Sequence, residues 1–427
     1  MDLKVKNVHL FDPLNGIDEV GTLLIDKGKV VKGSKSSARQ EIDGKGLYLF
    51  PGFIDLHSHF REPGAEDAET IETGSRAAVK GGYTSVCLMP NTDPPIDNEG
   101  LVRFIKERSE KVGLCRVFPI GTVTKGRKGK ELSEMAHLYE AGCVAFSDDG
   151  SCVMDSSIMR NALEYSKLFD VPIIDHPEDV SLSGKGQMHE GSVSTELGFK
   201  GIPDISESTV VARDVLLSKF TQGRIHLAHV STADSVKLIK DWKTDKVTSE
   251  VTPHHLLLSD DEIKDFDPNK KMKPPLRTHY DVEVLRKAIK EGLIEIVATD
   301  HAPHPDYKKE LEFGEAAFGV TGLETSFAVL YTELVKKGKL TLGVLIKAIS
   351  SSPGRIFNLP LGEVKEGATA DFAILDLKDS WEVTPNTFAS KSKNSPFLGM
   401  KLEGIVRYCI VGGKIIFKDG DFINKKA

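Results

Sequence analysis

The chain lacks any cysteine pair spaced for redox or structural metal chemistry: Cys87, Cys115, Cys143, Cys152 and Cys409 are odd in number, and none stands in a CxxC. They read as reduced thiols, with Cys87, Cys115 and Cys143 inside apolar runs where a small buried thiol packs well. No apolar run approaches the roughly 18 residues that span a bilayer, and Met1-Asp2-Leu3-Lys4-Val5-Lys6 has no charged-then-apolar signal pattern. A cytoplasmic protein without membrane contact is expected. There is no long basic block either. The net charge is −7, and the densest basic patch, Lys125-Gly126-Arg127-Lys128-Gly129-Lys130, is interleaved with glycines and reads as a solvated loop. Nucleic acid is therefore not an expected partner. No GxGxxG follows a strand-like run, which removes the usual mark of a dinucleotide site.

What is present is a globular composition, 40% hydrophobic and 28% charged over 427 residues. That length suits about two to three domains, or one large α/β barrel with an accessory domain. Residues 1–50 alternate polar and apolar in short bursts, and the same texture returns after residue 350, as in Ala370-Asp371-Phe372-Ala373-Ile374-Leu375 and Val406-Arg407-Tyr408-Cys409-Ile410-Val411. Both ends predict strands, and together a small β-sandwich domain built from 1–50 and 351–427. Between them, 51–350 holds eight apolar, β-rich runs, at 49–57, 84–90, 115–121, 143–149, 171–176, 224–230, 247–253 and 293–300. Helix-length segments separate them, among them 70–80, 98–109, 156–169, 206–220 and 281–291. Eight such repeats predict a (β/α)8 TIM barrel, α/β in class, whose reactive groups collect at the C-terminal strand ends.

Reactive residues do fall there. His57 and His59 close the first run, Asp148 and Asp149 the fourth, His176 the fifth, His229 the sixth and Asp300 the eighth. Residues i and i+2 of a strand share a face, so His57 and His59 converge as half of a metal site, and Arg61 continues their parity as a fixed cation. Asp300 shares a face with Ile294, Ile296 and Ala298, and His229 with Ile225 and Leu227, which sends His226 toward the helices as a structural residue. Asp149 has the parity of Cys143, Ala145 and Ser147; Asp148 takes its place if a bulge intervenes. His9, His137, His189 and His279 read as ordinary surface or partly buried residues. Either of His254 and His255 can line the cavity, and His304 sits just above its mouth.

These residues resemble the amidohydrolase superfamily and, within it, the dihydroorotases of the longer, type I bacterial kind. The resemblance covers nearly the whole chain. It rests on Asp55-Leu56-His57-Ser58-His59-Phe60-Arg61-Glu62-Pro63-Gly64, Met89-Pro90-Asn91-Thr92, Phe146-Ser147-Asp148-Asp149-Gly150, Asp175-His176-Pro177-Glu178-Asp179, Ala228-His229-Val230-Ser231-Thr232, Ala298-Thr299-Asp300-His301-Ala302-Pro303-His304 with Lys309, and Phe318-Gly319-Val320-Thr321-Gly322-Leu323-Glu324-Thr325. It implies zinc, up to about two ions per subunit, held by His57, His59, Asp149, His176, His229 and Asp300. It implies Asp300 as the catalytic proton carrier, with His59, Arg61, Asn91, Lys273, His304 and the backbone at Phe318 and Gly319 facing substrate. Two positions depart from the pattern: Ser58 replaces an aliphatic residue, and Lys273 stands where many relatives have a substrate-touching asparagine.

The implied reaction is the reversible conversion of N-carbamoyl-L-aspartate to dihydroorotate in pyrimidine synthesis, by a homo-oligomer with aspartate carbamoyltransferase as a possible partner. Hydantoinase, dihydropyrimidinase and allantoinase are the alternatives on the same scaffold. They typically carry a carbamylated lysine at the end of the fourth strand, and the fourth run here has none. A silent scaffold for aspartate carbamoyltransferase is the alternative from outside catalysis; such relatives lose ligands, and this chain keeps all six.

Overall fold

A computed structural model describes residues 1–33 and 37–423. The central part is a run of parallel strands alternating with helices, here β1 Phe53–Ser58, β2 Tyr83–Leu88, β3 Arg116–Pro119, β4 Phe146–Ser147, β5 Ile173–Asp175, β6 Ile225–Leu227, β7 Val247–Val251 and β8 Ile296–Val297. β1, β2 and β3 pair in one sheet, and β4 to β8 pair in sequence order in another. Single parallel bridges link the sheets on both sides, Gly121 to Phe146 and Ser58 to His301. Helices at Ile71–Lys80, Glu99–Val112, Ser156–Ser166, Ile205–Thr221 and His279–Lys290 occupy the intervening segments within a few residues of the expected ranges. Their starts follow from capping. Thr70 and Thr278 form capping boxes, and Asn98 accepts the backbone N–H of Leu101.

The two ends of the chain meet in one nine-stranded sheet, with Tyr48–Pro51 antiparallel to Phe372–Glu382 at the join. This sheet has its own apolar cluster, including Leu3, Val5, Ile25, Leu49, Phe372 and Ile410. The first apolar run is therefore two strands belonging to two sheets, divided at Gly52. A side chain at that position would bring its Cβ to 2.3 Å from Thr84 Oγ1, so only glycine lets the chain pass this close to β2.

Inside the parallel strands lies a second cluster, including Ile54, Leu56, Cys87, Ile120, Ala145, Ile174, Ala228, Ile296 and Ala298. Its membership corrects the expected parities. Ile225, Leu227 and Ile294 pack in the outer layer against the helices, and so does Cys143. His226 turns inward, its ring 5.1 Å from Phe357. All five cysteines are free and buried.

Candidate active site

Strict alternation does not deliver the reactive groups. Ile54 and Leu56 both face the interior, so His57 would point outward in an unbroken β1; the register shifts between Asp55 and Ser58, and His57 joins the central group. Beyond the strands, Arg61, His229 and Asp300 have positive φ, at 61°, 32° and 46°. Left-handed backbone at non-glycine residues is strained, and such strain concentrates at functional sites. These three side chains owe their direction to that turn and not to strand parity.

The structure brings all six histidine and aspartate candidates together, buried. His57 Nε2 lies 3.2 Å from Asp149 Oδ1 and 3.6 Å from Asp300 Oδ1. His59 Nε2 lies 3.1 Å from Asp300 Oδ1 and 3.5 Å from Asp149 Oδ2. His176 Nδ1 and His229 Nε2 are 2.8 Å apart and lie 3.5 and 3.7 Å from Asp149 Oδ1. Asp148 takes no part: its carboxylate accepts the N–H groups of Val123 and Thr124.

The far side of each ring decides what the near side offers. His57 Nδ1 donates to Glu250 Oε1 at 2.7 Å, His59 Nδ1 to Asn91 Oδ1 at 2.8 Å, and His176 Nε2 to Glu178 Oε2 at 3.3 Å. A carboxylate or amide oxygen only accepts, so each far nitrogen carries the proton and each near nitrogen presents a lone pair. Lone pairs and two carboxylates thus converge on one buried volume. His57 Nε2 and Asp149 Oδ1 have no hydrogen-bond partner there among the described residues. Buried acceptors that face only one another require positive charge between them. Two triads, His57, Asp149, His229 and His57, His59, Asp300, place their donor atoms within 4.8 Å of one another, which suits metal ions.

The electrostatics call for positive charge at the same point, supplied by a metal ion or, in its place, by a proton on the near nitrogen. Burial pulls the His57 imidazole down, but Asp149 and Glu250 outweigh it and hold it well above its ordinary value. Burial raises Asp149 and Asp300, yet the surrounding imidazoles, His57 for Asp149 and His59 for Asp300 foremost, hold both carboxyls low and ionised.

Glu250 is the group that reading the sequence missed. Its Oε1 also accepts the backbone N–H of His229 at 3.3 Å, and its Oε2 accepts His226 Nε2 at 3.1 Å. One fully buried carboxylate on β7 thereby ties β6 to β1, and the imidazoles of His57 and His226 hold it down to about 2 against its burial. Its only sequence signal is a lone acid inside the apolar run Val247-Thr248-Ser249-Glu250-Val251. His189 differs from expectation too. It is buried, with Nδ1 3.2 Å from Arg277, and burial beside that guanidinium pushes it down to about 4. His254 and His255 are both buried on the short helix after β7; His255 is bonded to Thr252 and Pro274, whereas His254 Nε2 has no partner among the described residues.

The other wall is cationic. Arg61 Nε donates to Pro303 O at 3.2 Å, and among the described residues no carboxylate lies within ion-pair distance of its guanidinium. Burial lowers it to about 10, with Asp300 and Asp149 pulling the other way. His304 Nε2 donates to Phe318 O at 2.7 Å, and burial, then Arg61, push the imidazole down to about 3, so it is neutral. Lys273 Nζ pairs with Glu178 Oε1 at 2.8 Å and lies 5.7 Å from the centre of the Phe318 ring. It therefore sits between the His176 side and the Phe318 loop. Burial raises the Glu178 carboxyl, but His176 and Lys273 outweigh it.

A family model described as Dihydro-orotase-like matches residues 46–235. The dihydroorotase of Geobacter metallireducens is 47% identical over 424 residues, 98% of this chain and 100% of that protein. That of Endomicrobium trichonymphae is 45% identical over 421 residues, 98% of this chain and 100% of that one. Among solved structures, the L-hydantoinase (dihydropyrimidinase) of Arthrobacter aurescens matches with a TM-score of 0.89 at 25% identity, covering 99% of this chain and 98% of that chain. A D-hydantoinase at 22% identity, with a TM-score of 0.84 over 100% of this chain and 97% of that one, shows the same α/β fold. With identity at this level sustained from end to end against dihydroorotases, the chain belongs to the dihydroorotase family.

Proposed function

We propose that this site opens and closes the dihydroorotate ring with His57, His59, Asp149, His176, His229 and Asp300 holding zinc, up to about two ions because six donors exceed the four that one tetrahedral ion takes. The observation that carries the reading is the buried meeting of histidine nitrogens and two carboxylates beside an arginine that has no ion-pair partner among the described residues. When bound, the metal supplies Lewis acidity and lowers the pKa of water toward neutrality. The protein's own groups do the rest. Arg61 offers its planar fork to the substrate carboxylate, and Asn91, His304 and the backbone at Phe318 and Gly319 orient the ring. Asp300, ionised at neutral pH, takes a proton from the attacking water. As the hydroxyl adds to the ring carbonyl and the C–N bond breaks, Asp300 passes that proton to the departing ring nitrogen, giving N-carbamoyl-L-aspartate. Ring closure runs the same transfers backward.

His59 faces both tasks, since its Nε2 lies beside Asp300 and its Nδ1 holds Asn91. Lys273, paired with Glu178, adds positive charge at the rim. The bridges Gly121 to Phe146 and Ser58 to His301 support a reading of β1 to β8 as a closed barrel over about 51–350. The sheet shared by 1–50 and 351–427 supports the accessory sandwich. No helix among the described residues is long and apolar enough to cross a membrane. A cytoplasmic homo-oligomer, with aspartate carbamoyltransferase as a partner, rests on the family resemblance alone.

Metal analysis of the purified protein, combined with assays of dihydroorotate opening and carbamoyl aspartate closure, tests the reading. Zinc bound at one to about two ions per chain with turnover in both directions is expected. A protein that takes up no metal, or that holds zinc and turns over neither compound, contradicts it.

A further inference from the structure

Between the strands Phe372–Glu382 and Lys401–Val411 the chain leaves the nine-stranded sheet and reaches the mouth of the parallel strands. It is tied down along the way. The backbone N–H groups of Ala389 and Ser390 donate to the Glu324 carboxylate, Lys391 N donates to Glu69 Oε1 at 3.2 Å, and Ser392 Oγ donates to Ala68 O at 2.7 Å. Two residues on, Asn394 is 4% exposed. Its Nδ2 donates to Ala302 O at 3.2 Å and to Gly319 O at 3.0 Å, while its Oδ1 accepts His304 N–H at 3.2 Å. Its backbone carbonyl accepts Thr321 N–H at 2.9 Å.

A planar amide has two N–H donors and one oxygen, and here all three are spent on backbone atoms of two separate loops. Those loops carry His304 on one side and Phe318 and Gly319 on the other. They pack with no slack: Gly319 has φ +130°, and a Cβ there would lie 2.9 Å from Ala302 Cβ and 3.0 Å from His304 Nε2. The Gly319 carbonyl also accepts Lys309 Nζ at 2.9 Å. None of these bonds reaches the six histidines and aspartates of the metal half.

We propose that Asn394 is a positioning residue for substrate binding, setting the distance between the 302–304 and 318–320 loops and with it the placement of His304 and the Phe318–Gly319 backbone against the substrate. The proposal rests on the substrate assignment made above. A group that orders only the binding loops affects the Michaelis constant and spares both metal content and the chemical step. A merely structural asparagine lowers stability and leaves KM alone in the folded protein.

The test measures KM and kcat for dihydroorotate, metal per chain and Tm in the parent, Asn394→Ala, Asn394→Asp and Lys309→Met. Asn394→Ala is expected to raise KM about tenfold, with kcat changed less than about threefold and metal content unchanged. Asn394→Asp keeps the acceptor for His304 N–H but sets an oxygen against the carbonyls of Ala302 and Gly319, so its KM rises further. Lys309→Met removes the other donor to Gly319 O and raises KM independently of whether the Asn394 variants fold. Unchanged KM in Lys309→Met or in the folded Asn394 variants, with Tm lowered, overturns the positioning role while an active parent leaves the dihydroorotase reading standing. A parent inactive toward dihydroorotate overturns that reading and the role built on it.

Discussion

In the metal half of the site every group sits at a strand end and, for three of the four imidazoles, is held from behind by another side chain, Glu250, Asn91 or Glu178. In the cationic half Arg61 and His304 ride on loops; their side chains donate to the backbone carbonyls of Pro303 and Phe318, and the His304 backbone N–H donates to the Asn394 side-chain amide. The difference follows from the two tasks. A metal ion tolerates little error in donor placement, so its ligands are fixed by local bends at the strand ends and by side-chain back-bonds. A substrate that enters and leaves needs a wall built on loops, where placement depends on parts of the chain far away in sequence.

The comparison breaks most visibly at Asp300, which serves both halves. Asp300→Asn is expected to cut turnover in both directions by at least about 10² to 10⁴, measured as kcat; more than about a tenth of parental activity shows that the proton moves by another route. Next comes the metal half as a unit. His57→Ala with His59→Ala should strip most of the metal while circular dichroism and Tm show a folded chain, because the apolar clusters do not run through these rings. Full metal retention contradicts the site. A smaller effect belongs to Glu250→Gln, which keeps the shape but removes the charge behind His57. Metal affinity measured by chelator competition should fall about 10- to 100-fold, and an unchanged affinity assigns Glu250 to structure only.

The same contrast explains what was legible in the sequence. The strand ends announced themselves through apolar runs that stop at histidine or aspartate, and the helices as helix-length segments between those runs. Parity along the strands was a weaker guide than it looks. A register shift in β1 and left-handed backbone at His229 and Asp300 re-aim the side chains, and His226 faces inward because Glu250 gives it a partner. Such bends are set by tertiary packing and leave no period in the sequence. Asn394 was invisible for another reason: its three partners lie about 75 to 92 positions away, and nothing local marks an asparagine as their common neighbour.

The smallest expected effect concerns pH and the loop wall. Burial pushes the Lys309 ammonium down to about 7, with Lys271 nearby acting in the same direction. The unfolded chain, with lysine near about 10.4, then binds more protons than the folded one between these values. Stability contributed by this group therefore rises with pH: its cost is full below about 7 and relieved toward about 10.4. The Tm difference between the parent and Lys309→Met should shift in the parent's favour from roughly pH 7 to pH 9, and a pH-independent difference contradicts the buried charge.

The central claim, that the cationic half selects an anionic ring for a metal half that does the chemistry, is tested most directly by comparing kcat/KM for dihydroorotate and for neutral dihydrouracil in the parent and in Arg61→Met, with metal content measured in both. Binding a neutral ring leaves Arg61 desolvated and unpaired, a penalty of several kcal/mol, on the order of a hundredfold or more in efficiency. The parent is predicted to favour dihydroorotate by that margin, and Arg61→Met to lose most of the preference at unchanged metal content. Equal efficiency for the two rings in the parent, or a preference that survives in Arg61→Met, would contradict the account.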